Sequence, residues 1–279
     1  MTIIDNLLTG SLANLDGVLD DVRFVRMDLS KPDPDLPEVL RGAECVFHLA
    51  AFPSVAASVE DPLRSHGHCG TATLVVLHAM QQAGVGRIVY SSSCALYGDQ
   101  PELPWRTDML PRPMSPYAAD KLAGEYYAAV FQRLYGVNAV SLRYFNVYGP
   151  GQPAGSAYAT VIPRFLSAIR QGVPPIVYGD GGQTRDFVHV SDVVEANVRA
   201  AAWTGPHEAV NVGSGIQTSV LALLELLRRL RPGMLEPEFE PPRSGEIRHS
   251  AAELAGTERL LGWKPTVRLD EGLRELLAS

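Results

Sequence analysis

An α/β fold built on a parallel sheet, with a smaller second lobe, is what this sequence predicts, and three observations carry that reading. Short apolar runs alternate with amphipathic helical stretches through the first half, the pattern of βαβ units. After Gly149-Pro150-Gly151 the texture changes to Pro/Gly-rich loops such as QGVPPIVYGDGGQ and EPEFEPPRSGE. At 279 residues, 46% of them apolar and 20% charged, the chain has the length and balance to bury a large core.

The elements follow in order. Strands are predicted at Thr2–Asp5, Arg23–Asp28, Glu44–Ala51, Arg87–Ser93 and Ala139–Phe145, with helices at Asp35–Arg41, Pro62–Ala83 and Pro116–Tyr135. Ligands of parallel sheets sit beyond the carboxyl ends of the strands. Attention therefore falls on Asp5, Asp28, Ala50–Ala51, Ser91–Ser93 and Tyr144–Asn146. The first lobe is expected over 1–150, with 187–212 returning to it. The second lobe takes 151–186 and 213–279, with a helix at Ser219–Leu230.

The net charge of −7 leaves no footprint for nucleic acid or an anionic membrane. No run approaches the ~18 apolar residues of a membrane span. The opening MTIIDNLLTG does not read as a signal peptide. Cys45, Cys69 and Cys94 are odd in number and widely spaced, which fits a reducing cytoplasm better than a disulfide framework. His48, His66 and His68 show no ligand spacing and read as packing or surface residues, so no metal is expected.

The sharpest signal is SPYAADKLAGEYYAAVFQRLYG. Ser115 suits an N-cap, Pro116 the first helical position and Gly136 the C-terminal cap. Tyr117 and Lys121 then share a helix face. A free tyrosine titrates near pH ~10 and is a poor base, but a neighbouring ammonium stabilises the phenolate. Ser93, ending GRIVYSSS, can hydrogen-bond the same substrate oxygen. A Tyr-x-x-x-Lys pair alone is common by chance; the upstream SSS and the capped helix start favour a catalytic role.

With IIDNLLTG, VFHLAAFPSVAASVEDP, YSSSCALYGD, LRYFNVYGP, YGDGGQTRDFVHVSDVV and PPRSGEIRHSAAELAGTERLLGW in the same order, the sequence resembles the extended short-chain dehydrogenase/reductases, NAD-dependent epimerases and dehydratases. Within them it is most similar to UDP-glucose/UDP-N-acetylglucosamine 4-epimerases. The resemblance implies a Rossmann-type doubly wound sheet, NAD as cofactor and a UDP-sugar as substrate. Asp5 would bind the adenosine ribose, with Asn6, Asp28 and Leu29 bordering the adenosine and Leu49, Ala50 and Ala51 along the dinucleotide path. Tyr144 would join the cofactor site, and Lys121 would hold the nicotinamide ribose. On the substrate side it implies Asn146 at the diphosphate, Arg185 and Arg243 as its clamp, Val161, Ile176 and Tyr178 around uracil, and Glu246 at the ribose. Ser250 stands where enzymes restricted to UDP-glucose and UDP-galactose carry tyrosine, leaving room for an N-acetyl group. The family often dimerises through two helices, for which 62–83 and 116–135 are the candidates.

Dehydratases and decarboxylases place acids after the serine or threonine, where this sequence has Cys94 and Ala95. That favours simple epimerisation, with Cys94 read as a small buried hydrophobe. Cys69, Ala72, Ala57 and Gly256 are smaller departures. The largest concerns Asp5. Its family counterpart follows by ~20 residues a glycine loop that joins a strand to a helix, so that strand, loop and helix are expected to be missing, leaving two neighbouring strands with unpaired edges. Gly213–Gly215 lacks the βαβ setting to replace it. The competing readings are a UDP-sugar-binding remnant without NAD, and an epimerase for UDP-glucuronate or another nucleotide sugar.

Overall fold

The computed structural model describes residues 1–152, 160–242 and 247–278, and the chain divides into two units. The first takes Met1–Ser92, Ser115–Ser141 and Thr204–Glu208. It opens with β1 (Thr2–Asp5), parallel to β2 (Arg23–Arg26) with Asp5 opposite Arg26. β2 stops short of Asp28, whose carboxylate accepts the Ser30 N–H at 3.0 Å and turns the chain. α1 (Leu36–Leu40), with proline in its first turn, leads to β3 (Val46–His48), much shorter than the apolar run around it.

α2 (Val55–Glu60) and α3 (Pro62–His66) follow, capped by Ser54 and Asp61. The stretch 62–83 is not the single helix expected. A π turn over Gly67–Thr71 separates α3 from α4 (Ala72–Ala83). Gly70 explains it: a Cβ there would lie 2.8 Å or less from the His66 ring and the Asp120 carboxylate, which close on this turn. β4 (Arg87–Ser93) and α5 (Pro116–Tyr135) have the expected bounds. Ser115 caps α5 by accepting the Ala118 N–H at 3.2 Å, and Gly136 ends it at φ 71°. Neighbouring strands run β3, β4 and β5 (Asn138–Tyr144). Among the described residues β1 pairs only with β2, and β3 only with β4. α1, α4 and α5 bury Leu36, Leu77, Met80 and Phe131 against Ile88 and Ala139.

The second unit takes Ser93–Met114, Leu142–Trp203 and Ala209–Ser279. Beyond a 3-10 turn at Cys94–Tyr97, it contains β6 (Asn146–Tyr148), α6 (Val161–Gln171), β7 (Ile176–Tyr178), β8 (Thr184–Arg185), β9 (Phe187–His189) and α7 (Val190–Ala200). Then come β10 (Glu208–Val212), beside β5, then β11 (Thr218–Ser219), α8 (Val220–Leu230), β12 (Glu238–Glu240), α9 (Ala255–Leu261) and α10 (Leu269–Ala278). β6 runs parallel to β9 and β7 to β12, while β8 and β11 are antiparallel. Its core joins Phe165 and Leu166 of α6 to Leu223 and Leu227 of α8 and Leu273 of α10.

Candidate active site

In the first unit, α5 and β4 place Tyr117 and Lys121 together. Lys121 is only 2% exposed, and its Nζ donates to the Ser91 carbonyl at 2.7 Å. The ammonium lies 5.8 Å from the Tyr117 ring centre and 5.3 Å from that of Tyr90. Burial pulls its pKa from 10.5 down to about 8, so it remains mostly charged at neutral pH. Tyr117 packs on the small cluster of Phe52, Ala57 and Cys69. Cys69 is a buried thiol that burial keeps protonated.

Three buried polar contacts that the sequence did not reveal brace this pair. Ser92 donates to Glu125, one turn beyond Lys121. Tyr90 Oη reaches the Lys121 carbonyl at 3.4 Å. His48 Nε2 is 3.1 Å from the Thr73 hydroxyl, and burial, then the Lys121 charge, push its pKa to about 3. His48 is therefore a neutral packing residue. No group of three or more His, Cys, Asp or Glu among the described residues is arranged to hold a metal ion.

A groove in the same unit is lined by Asp5, Asn6, Leu29, Ala50, Ala51 and His68 among others. Asp5 Oδ1 accepts the Leu7 N–H at 2.6 Å, and Leu7 itself sits in the left-handed region at φ 59°. Gly10 leaves Oδ2 open, since a Cβ there would stand 3.2 Å from it. Asp28 lies beside the groove, 3.4 Å from the Asn6 amide, its pKa lowered chiefly by the Ser30 N–H. Leu49 is 53% exposed and is not among the groove residues. An aspartate with one free oxygen between small residues fits the ribose end of a dinucleotide.

In the second unit, Ser93 Oγ accepts the Ala95 N–H at 3.2 Å, a bond that does not use its own proton. Cys94 is partly exposed as a residue, but its thiol is enclosed, and burial pushes its pKa up to about 12. That makes it no nucleophile. Arg185 donates to the Thr184 carbonyl at 2.8 Å. The Asn146 N–H bonds the Asp186 carbonyl at 2.9 Å. Ile176 and Tyr178 are two apart on β7, and Arg164 lies 4.9 Å above the Tyr178 ring while donating to its hydroxyl. Val161 opens α6, and the Tyr144 hydroxyl donates to Asn197 at 2.9 Å. Ser250 is 3% exposed, its Oγ buried without a partner. Arg243 and Glu246 lie outside the described residues.

Gly213–Gly215 has a different use. The buried Asp186 carboxylate accepts the Ser214 and Gly215 N–H groups and the Ser214 hydroxyl. An internal anion thus fills this turn, and it offers no cradle to a diphosphate.

Parallel strands with a ribose-type aspartate at one strand end, and a half-buried tyrosine beside a buried lysine at the start of a helix, define a Rossmann-type dinucleotide-dependent protein. The chain belongs to the NAD dependent epimerase/dehydratase family, whose model matches residues 1–213. It is 38% identical over 276 residues to a UDP-glucose 4-epimerase of Mycolicibacterium smegmatis, covering 97% of this chain and 87% of that protein. Among solved structures it is similar to the UDP-N-acetylglucosamine 4-epimerase of Methanobrevibacter ruminantium in complex with UDP-N-acetylmuramic acid. That similarity has a TM-score of 0.94 at 36% identity, over 99% of this chain and 89% of the other. The UDP-glucose 4-epimerase of Thermus thermophilus in complex with NAD matches with a TM-score of 0.89 at 34% identity, over 99% and 89% of the two chains.

Proposed function

We propose that this chain is an NAD-dependent epimerase acting at carbon 4 of a UDP-hexose, and the half-buried Tyr117 beside the buried Lys121 ammonium is the observation that carries the proposal. When bound, NAD supplies the redox round trip, taking hydride from carbon 4 and returning it to the opposite face of the 4-ketose. Asp5, with Oδ2 open, holds the adenosine ribose, and Asn6, Asp28, Leu29, Ala50 and Ala51 border that end. Lys121 holds the nicotinamide ribose.

The chain's own work is proton transfer and positioning. Tyr117 removes the proton from the 4-hydroxyl and gives it back. The Lys121 ammonium favours the phenolate, and enclosure makes its charge count for more than it would in water. Ser93 donates to the 4-oxygen, and Cys94-Ala95 offers no acid for eliminating water. Arg185 and Arg243 suit a diphosphate as planar forks, with Asn146 beside them. Val161, Ile176 and Tyr178 enclose the base, and Glu246 takes the ribose.

The small, buried Ser250 supports acceptance of UDP-N-acetylhexoses beside UDP-glucose and UDP-galactose. We place the enzyme in the cytoplasm, which suits its three free thiols. We further propose a homodimer, because α5 exposes Tyr126, Val130 and Leu134 at four-residue spacing.

Purified chain supplied with NAD is expected to interconvert UDP-glucose and UDP-galactose, and UDP-N-acetylglucosamine with its 4-epimer. Tyr117→Phe should lower kcat about 10³-fold, within the range ascribed to a positioned acid–base group, with substrate binding retained. UDP binding without any turnover of either substrate pair would refute the epimerase reading. Turnover of UDP-glucose with UDP-N-acetylglucosamine untouched would refute only the wider specificity.

A further inference from the structure

Arg164 of α6 is a cation that the proposed chemistry does not use. Its guanidinium lies 4.9 Å from the centre of the Tyr178 ring and donates to the Tyr178 hydroxyl at 3.0 Å. Arg164 is half-buried, and among the described residues it makes no ion pair. Local structure puts the two side chains together. Val161 and Arg164 are three apart and share a face of α6, while Ile162, Phe165 and Leu166 enter the core. On β7, Val177 is 1% exposed and points into that core, so Ile176 and Tyr178 take the opposite face. β7 has only three residues, and Gly179 behind Tyr178 lies in the left-handed region at φ 68°. So short a strand leaves the ring at its end poorly fixed. A guanidinium that packs on the ring and bonds its hydroxyl removes that freedom.

We propose that Arg164 is a positioning residue that presets the Tyr178 ring as the platform on which the base of the UDP-sugar stacks. The inference rests on the proposed reading of Val161, Ile176 and Tyr178 as the base pocket. A base stacks on an aromatic face only where the ring is held in place to receive it. When Arg164 holds the ring beforehand, the cost of immobilising it falls on folding and not on binding. Arginine suits the task better than lysine, because its planar guanidinium can pack on the ring and still aim a donor at the hydroxyl. The base stays bound throughout the reaction, so the contribution is equal in the ground and transition states. It therefore falls on KM and leaves kcat alone.

Calorimetry with UDP on the unmutated chain, Arg164→Met, Tyr178→Leu and the double variant tests this, with inorganic pyrophosphate as a second ligand. Arg164→Met is expected to weaken UDP binding about 3- to 10-fold, the span set by one immobilised side chain. KM for the UDP-sugar should rise by as much, with kcat unchanged. In the Tyr178→Leu background the same substitution should alter UDP affinity less than about twofold, since the platform it positions is gone. Pyrophosphate, which carries the charge without the base, should bind the unmutated chain and Arg164→Met alike. If Arg164→Met fails to fold, Arg164→Lys takes its place and should weaken UDP about 2- to 4-fold, with the same dependence on Tyr178. An unchanged UDP affinity overturns the proposal. So do losses that simply add across the two substitutions, or a pyrophosphate affinity that falls with that of UDP, because either marks an arginine acting through fold or charge alone. The calorimetry needs neither NAD nor turnover. The expected coupling in a chain that epimerises nothing would therefore support this inference and count against the proposed reaction alone. Turnover with UDP affinity unmoved by Arg164→Met would overturn this inference alone, and a chain that binds no UDP overturns both.

Discussion

Gly124 sits on the inner side of α5, where a Cβ would come 2.1 Å from Tyr90 Oη. That hydroxyl is the group reaching the Lys121 carbonyl, so one missing methyl sets how closely β4 approaches the helix that bears the site. No flexible tip can yield, because Tyr90 is 1% exposed. Gly124→Ala should therefore destabilise the first unit by about 1–3 kcal/mol despite the better helix propensity of alanine. A lower urea midpoint with an unchanged slope would report it, and an unchanged midpoint would show that Tyr90 can move. That Tyr117 and Lys121 share α5 and that Ser93 ends β4 was legible in the sequence, because both placements depend on local spacing. The pairing of His66 with Asp120 was not, since the two residues lie far apart in the chain and their contact depends on a glycine in a π turn.

Among the elements, α5 was readable to its end residues because both of its signals are local: a serine cap with proline behind it, and a glycine in the left-handed region. The break between α3 and α4 was not readable, because the apolar period continues straight across Gly67–Thr71. Strand ends were overestimated at β2 and β3, where apolar runs continue into loops that turn on side-chain bonds such as that of Asp28 with Ser30. The outer face of α5 carries a test of assembly. Leu134 is 64% exposed and continues the Tyr126–Val130 stripe. If this stripe meets a second copy, Leu134→Glu would bury like charges close together and should convert the dimer to monomer. Light scattering on the two proteins decides it: an unmutated chain that is already monomeric, or a variant that stays dimeric, removes α5 from the interface.

Stability across the whole chain should carry the cost of Lys121. Its pKa falls from 10.5 to about 8 on folding, chiefly through burial. Below pH 8 both states hold the proton and the folded state bears the full penalty, on the order of 3 kcal/mol. Between pH 8 and 10.5 the unfolded chain binds more protons than the folded one, so this contribution makes stability rise with pH; above that window the penalty is gone. Lys121→Met keeps the buried stem, removes the charge and gives up the bond to the Ser91 carbonyl. It should therefore be inactive yet more stable at pH 7 by roughly 1–3 kcal/mol. The advantage should shrink steadily from pH 8 to 10.5. Cys94 and Tyr90, whose pKa values burial raises, give the opposite slope, but they are common to both proteins and cancel in the difference. Lys121 lies in the first unit, so if denaturant resolves two transitions the gain belongs to the one that unfolds Met1–Ser92 and α5. A methionine variant less stable than the parent at pH 7 would mean that the Ser91 bond outweighs desolvation. Lys121 would then stabilise the fold as well as serve the chemistry.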